Sequence, residues 1–256
     1  MPNIELIQGD CMEYMSSNIC QLALCDIPYG IGVGKMAYLK EKNTTVKQKN
    51  GTRLNPNKNK PNYQNKDWDN KLPSQDYFDL LLKTSQHQII FGSDYTNWNG
   101  LGKGRIKWDK GFSEGVSFNR YEVAYCSFID ETITIPYLWA GMQQAKSIDE
   151  PMVQQGNKKL NEKRIHPTQK PVGLYKTLLN LAVYAGALDK LDIIRDDYGG
   201  SRSLAIACYD LGFDHVSIEL DKDYHRESKQ RFDAHVAKYA PASEISVTMK
   251  GEIKLF

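Results

Sequence analysis

The sequence predicts an α/β domain built on a mostly parallel sheet. Three observations predict it. The last third alternates short apolar runs with helical patterns. A glycine-rich turn at Gly199-Gly200 lies between one such run and the helix after it. The chain has 256 residues, 41% apolar and 11% aromatic, which suffices for a real core. Strand-helix-strand units of this kind join parallel strands through right-handed crossovers.

The elements follow in order. Ile4-Glu5-Leu6-Ile7 reads as a short strand closed by Gln8-Gly9-Asp10. Leu22-Ala23-Leu24-Cys25 reads as a second strand, buried on both faces because it does not alternate. Residues 34–70 are rich in Asn, Lys, Gly and Pro without periodicity, which predicts a long loop. Ser74 caps a predicted helix with Tyr77, Phe78, Leu81 and Leu82 on one face. Gln88–Gly92, Arg105–Trp108 and Glu122–Cys126 read as strands, and 136–164 as a polar, irregular segment. A helix over Val172–Tyr184 turns Leu174, Leu178 and Leu181 inward. A strand at Leu191–Ile194, a helix at Ser203–Asp210, a strand at His215–Glu219 and a charged helix opened by Asp221–Tyr224 complete the chain. The whole reads as a single domain, with 34–70 and 136–164 as candidate recognition insertions.

Composition narrows the class. No stretch approaches the ~18 consecutive apolar residues of a membrane helix, and the N-terminus lacks the basic start and apolar core of a signal peptide. Five scattered cysteines without a CxxC pair argue against zinc and suit reduced, buried thiols in a cytoplasm. The net charge of +2 hides an uneven distribution: Lys35 to Lys66 holds eight Lys and one Arg against the single acid Glu41. Such a run suits a surface that meets phosphates or a solvated loop.

Two segments carry chemistry. Asp26-Ile27-Pro28-Tyr29, followed by Gly30, ends the second strand and delivers a carboxylate, a rigid turn and an aromatic ring to one point. That set can hold a planar amino group: the carboxylate and a backbone carbonyl accept its hydrogens, and the ring stacks on the attached base. Asp196 to Ser203 lies between a strand and a helix, where glycines admit a ligand and the helix start offers N–H groups. Glu219 ends the next strand, and its spacing from Asp196 matches a Rossmann-type nucleoside site. Gly92-Ser93-Asp94-Tyr95 and Trp108-Asp109-Lys110 read either as base-pocket segments or as loops with core aromatics. His87 and His215 read as packing residues.

These segments resemble the DNA amino-methyltransferases of phage and bacterial type, in the permuted order with the catalytic half first. Asp26 to Tyr29 resembles their Asp-Pro-Pro-Tyr signature, with Ile27 in place of the first proline. Gln8-Gly9-Asp10-Cys11 resembles the opening Gly-Asp segment, and Ile165 to Pro171 carries the complete His-Pro-Thr-Gln-Lys-Pro run. Asp196 to Ser203 resembles the Asp-Pro-Phe-x-Gly-Ser-Gly-Thr loop, with Asp197 for proline and Arg202 for the last glycine.

The resemblance implies a Rossmann-like S-adenosylmethionine-dependent methyltransferase fold with an irregular DNA-recognition region. It implies direct methyl transfer to a base flipped from double-stranded DNA. Asp26, Ile27, Pro28 and Tyr29 would be catalytic. Asp10, Cys11, Lys170, Asp196, Tyr198, Gly200, Ser201, Ser203 and Glu219 would hold S-adenosyl-L-methionine. Adenine N6 is expected over cytosine N4, because Asp rather than Ser begins the signature. Arg202 leaves two expectations: it crowds the cofactor or repels its sulfonium, or it points outward and pairs with Asp197. The rival readings are a DNA-binding relative that has lost the cofactor, a cytosine-N4 enzyme, and an RNA or protein-glutamine methyltransferase. The tail Glu252-Ile253-Lys254-Leu255-Phe256 is either an apolar terminus folded back on the domain or a peptide that docks into a bacterial sliding clamp.

Overall fold

A computed structural model describes residues 1–33, 66–112, 119–140 and 142–239, together with the backbone of a small ladder between β3 (Val46–Lys47) and β4 (Arg53–Leu54). Most of the basic run and the whole C-terminal tail, with the clamp expectation attached to it, lie outside the described residues.

The main sheet has eight strands. They are β1 (Ile4–Gln8), β2 (Cys20–Asp26), β5 (Ser85–Phe91), β6 (Arg105–Asp109), β7 (Tyr121–Cys126), β8 (Thr132–Pro136), β11 (Ile193–Asp196) and β12 (Asp214–Glu219). Their order is β1-β12-β11-β2-β5-β7-β6-β8. All neighbours pair in parallel except at β7, which runs antiparallel to both β5 and β6. The helices are α1 (Cys11–Met15), α2 (Gln75–Thr84), α3 (Val172–Tyr184), α4 (Ser203–Leu211) and α5 (Lys222–Tyr239).

This topology fixes where a ligand can sit. The chain leaves β11 through α4 toward β12, and leaves β2 toward β5 on the opposite side. The connections diverge between β11 and β2, which opens a crevice at the carboxyl ends of those strands. Leu22, Ala23, Leu24 and Cys25 of β2 are fully buried, as a central strand covered on both faces requires. Leu174, Leu178, Leu179 and Ala182 of α3 are also fully buried, each leucine contributing about 2 kcal/mol. Ser74 caps α2 by accepting from the Tyr77 N–H.

Four expectations need correction. β5 starts at Ser85, three residues early, because its first turn buries polar groups that an apolar pattern does not reveal. Gln88 donates to the Ser85 carbonyl, and Ser85 donates to that of Leu81. β11 runs over Ile193–Asp196 rather than Leu191–Ile194. Leu191 is 94% exposed, and the strand continues through Arg195, a charge that sequence reading takes for a strand end. β8 was not foreseen, although Thr132-Ile133-Thr134-Ile135-Pro136 alternates as an edge strand with proline at its end.

Finally, 136–164 is more ordered than its polarity suggests. It contains the paired strands β9 (Trp139–Ala140) and β10 (Gln143–Gln144). Gln144 and Glu162 exchange hydrogen bonds of 3.0 and 2.7 Å. Glu162 then accepts from the Val172 N–H at the start of α3 and from Arg231 of α5. This segment is stitched to the scaffold. All five cysteines are free and buried. No described helix is long and apolar enough to cross a membrane.

Candidate active site

A cavity of about 870 Å³ opens at the carboxyl ends of β1, β2, β11 and β12. Its walls bring together Asp10, Cys11, Asp26, Ile27, Pro28, Tyr29, Lys170, Asp196, Tyr198, Gly200, Ser201, Ser203 and Glu219, segments scattered over most of the chain. Its size is that of a pocket for a cofactor-sized ligand.

One end is built by turns after the strands. Asp10 caps α1 by accepting from the Met12 N–H at 2.8 Å. Glu219 ends β12, and its two oxygens accept from the N–H groups of Gly200 (2.7 Å) and Asp221 (2.8 Å). Each carboxylate oxygen keeps a lone pair for a further donor. Burial pushes the Asp196 carboxyl up to about 7, against the opposing pull of Arg202. Burial likewise pushes the Cys11 thiol up to about 12, with Asp197 and Asp10 adding to the shift, so this is a packed, unreactive thiol. The hydroxyls of Ser201 and Ser203 meet at 3.0 Å, and Arg231 of α5 donates to the Ser201 carbonyl and to Ser203 Oγ.

Arg202 follows neither expectation. It does not line the cavity, and Asp197 is paired instead with Arg195 at 2.7 Å. The Arg202 backbone is left-handed (φ 59°), the conformation a glycine adopts freely. Its guanidinium turns inward, donating to the Ile7 carbonyl at 3.0 Å and lying 3.2 Å from His225 Nδ1. A Cβ on Gly199 would fall 2.3 Å from Arg202 Nη1, so the missing side chain of Gly199 makes the room that Arg202 fills.

The other end is built around Asp26. Its Oδ1 accepts from the Tyr29 hydroxyl at 3.0 Å and pairs with the Lys170 ammonium at 2.5 Å. That ammonium is also 3.1 Å from the Tyr29 hydroxyl and 3.2 Å from Glu122 Oε2. Lys170 therefore stands with the Asp26 group, while sequence reading assigned it to the cofactor. Burial pushes the Asp26 carboxyl up, opposed by Lys170. Burial also opposes ionisation of Glu122, but Lys170 and Lys110 outweigh it and hold that carboxyl down to about 2.

The Tyr29 ring stacks on Tyr95, centroids 4.8 Å apart and planes 15° apart, which gives the Gly92–Tyr95 segment its place at the site. Gly92 has φ 84°, and a Cβ there would fall 2.3 Å from the Tyr29 ring. The Ile27 side chain is buried in the core, so its replacement of proline fills space there.

Four contributors were missed. Asp69 is 2% exposed; its Oδ1 accepts from the N–H groups of Tyr29 (2.6 Å) and Gly30 (3.0 Å), and its Oδ2 from that of Val33 (2.9 Å). Lys66 pairs with Asp221 and with Asp223 at 3.0 Å, both at the start of α5. These two acids outweigh its burial and raise the Lys66 pKa. Trp68 packs on His166, which packs in turn on Tyr224. Burial holds His166 down to about 3, so it is neutral. The stretch from Lys66 to Asp69 thus ties the turn after Asp26 to the cofactor-side helix. Glu122 had no local signal: it reaches the site because β7 runs antiparallel, which brings the start of that strand to the carboxyl ends of its neighbours.

The fold and site define an α/β protein whose cavity at the carboxyl ends of the strands ends on a buried carboxylate, lysine and tyrosine. A family model described as DNA methylase matches residues 35–230, well over half of the chain, and the chain belongs to that family. It is a DNA methyltransferase of the adenine-N6 and cytosine-N4 class, whose members use S-adenosyl-L-methionine. The chain is similar to the YubD protein of Escherichia coli (strain K12), 24% identical over 234 residues that cover 89% of each chain. It is 33% identical to the type II methyltransferase M.HpaI of Haemophilus parainfluenzae over 69 residues, covering 27% of this chain and 20% of that one. Among solved structures, the M1.HpyAVI–SAM complex aligns with TM-score 0.48 and 16% identity, covering 90% of this chain and 100% of that one.

Proposed function

We propose that this methyltransferase modifies the exocyclic amine of a base flipped from double-stranded DNA, and that the base is adenine, at N6. One observation carries the reading: a single cavity runs from Glu219 and Gly200 to Asp26 and Tyr29, so a methyl donor and an amine can meet inside it.

The residues present fit the cofactor. Glu219 and Asp10 offer acceptors to a nucleoside, and Gly199 and Gly200 keep the loop free of side chains. Tyr198, Asp196, Ser201 and Ser203 complete that end, with Cys11 as packing. S-adenosyl-L-methionine, when bound, supplies an electrophilic methyl group. Asp26 and the Ile27 carbonyl would accept the amine hydrogens and so aim the nitrogen lone pair at that methyl. Pro28 stiffens the turn between them. Tyr29, held against Tyr95 and lining the cavity, would stack on the base. Transfer of that methyl would release the cofactor as its neutral thioether, and the proton the amine sheds would pass to Asp26, its hydrogen-bond acceptor. Orientation and exclusion of water supply much of the rate, and extrusion of the base costs a few kcal/mol.

The inward turn of Arg202 supports an active enzyme over a relative that has lost its cofactor. The preference for adenine rests on the Asp that begins the signature. The test is methyl transfer from labelled cofactor to plasmid DNA followed by nucleoside analysis, with Asp26→Ala as the control. N6-methyladenine is expected. Label in N4-methylcytosine alone would overturn the base assignment, and no label despite bound cofactor would overturn the activity.

A further inference from the structure

Both donors that reach Asp26 use the same oxygen. The Tyr29 hydroxyl donates to Oδ1 at 3.0 Å, and the Lys170 ammonium pairs with it at 2.5 Å. A carboxylate oxygen has about two acceptor directions, so Oδ1 is filled. Among the described residues no donor meets Oδ2, and the Asp26 side chain lines the cavity, 19% exposed. The Lys170 side chain is only 3% exposed. Its three N–H donors have three protein acceptors around them: Asp26 Oδ1, the Tyr29 hydroxyl at 3.1 Å and Glu122 Oε2 at 3.2 Å.

We propose, on the reading that Asp26 accepts the target amine, that Lys170 is a positioning residue: it holds the Asp26 carboxylate by Oδ1 and Tyr29 by its hydroxyl, so that Oδ2 and the ring are presented together to one flipped base. The hold also has an electrostatic side. Burial pushes the Asp26 carboxyl up, and Lys170 is the main charge opposing it. Facing Asp26 from the other elements are Glu122 of β7, which adds to the rise, Tyr175 of α3 and Asp196 of β11. Without the ammonium, the carboxyl would keep its proton to a higher pH, and a protonated Asp26 cannot take the proton that the amine sheds. A lysine that merely neutralised Glu122 would leave the pH dependence of methyl transfer unchanged. A lysine that held the cofactor would govern its affinity.

Methyl-transfer kinetics and calorimetric cofactor binding separate these roles in Lys170→Met. Near neutral pH, kcat should fall at least about tenfold and recover as pH rises, because the acid limb of the profile moves up by about 1–3 pH units. The dissociation constant of S-adenosyl-L-methionine should stay within about twofold. A pH profile of wild-type shape overturns the proposal, and so does a loss of cofactor affinity of about tenfold or more. The double variant Lys170→Met with Glu122→Gln removes one buried charge of each sign and carries the test if the single variant does not fold. The same upward shift is required of it, since Lys170 acts on Asp26 more strongly than Glu122 does. NMR titration of cofactor-free protein reads the Asp26 carboxyl directly, with Asp26→Asn identifying its signal. That titration should move to higher pH in Lys170→Met, and an unmoved one overturns the hold. If Asp26→Ala transfers methyl at the wild-type rate, the amine-acceptor reading fails by itself, and the NMR titration still decides whether Lys170 holds the carboxylate.

Discussion

Asp69 and Tyr29 lie on opposite ends of the basic insertion, yet the Asp69 carboxylate accepts the Tyr29 N–H at 2.6 Å. The same side chain takes the N–H groups of Gly30 and Val33, so one acid organises the turn that follows Asp26. Asp69→Ala orphans three backbone donors and should cost about 3 kcal/mol, at roughly 1 kcal/mol or more for each. Asp69→Asn keeps one acceptor oxygen and should cost about half as much. Urea unfolding measures both, and an alanine variant as stable as the wild type would remove Asp69 from this role.

Gly92 holds the Tyr29 ring in place by having no side chain. Gly92→Ala puts a Cβ within 2.3 Å of that ring on a backbone with φ 84°. The backbone strain costs about 1–2 kcal/mol, and displacement of the ring should lower kcat about a hundredfold. Methyl-transfer kinetics with calorimetric cofactor binding would show it as a loss of rate at nearly unchanged cofactor affinity.

Arg202→Gly is a test of direction. The substitution relieves a left-handed arginine but removes the bond to the Ile7 carbonyl and empties the space beside Gly199. Stability should fall by about 1–3 kcal/mol. Cofactor affinity should stay within about twofold, since Arg202 does not line the cavity. A tenfold gain in affinity on calorimetry would mean that Arg202 had been obstructing the pocket.

Much of this site could be read from the residue order, and the remainder depends on what the sheet brings together. Asp26, Asp10, Asp196 and Glu219 sit at strand ends, where an apolar run stops and a turn begins, so local pattern is enough to place them. Glu122 sits in an ordinary strand whose direction no local pattern states. Asp69 and Lys66 act across long sequence separations on partners that composition cannot pair. Ser85 misplaced one strand start and Arg195 one strand end, because both are buried polar residues whose hydrogen bonds an apolar pattern does not show. Arg202 kept the backbone of the glycine it replaces, while its side chain found a route that only the packed structure defines.

Asp196 should make stability depend on pH. Its carboxyl holds a proton up to about pH 7 in the fold, but only up to about pH 4 in an unfolded chain. Between those values the folded state binds more protons, so stability falls as pH rises. The full effect is on the order of 4 kcal/mol. Asp196→Asn should remove this slope, so its advantage over the wild type grows from pH 4.5 to 7.5. Urea unfolding of cofactor-free protein at those pH values checks it, and parallel stability curves would count against the raised carboxyl.

The stem from Lys66 to Asp69 makes the basic insertion inseparable from the enzyme that carries it. An engineer who exchanges residues 34–65 must leave that exit stem as a fixed splice boundary. A cut placed four residues later would delete the acid that shapes the turn after Asp26 and the lysine that reaches α5. Exchange should be tolerated up to residue 65, and beyond it the same edit becomes a lesion in the Asp26 end of the cavity.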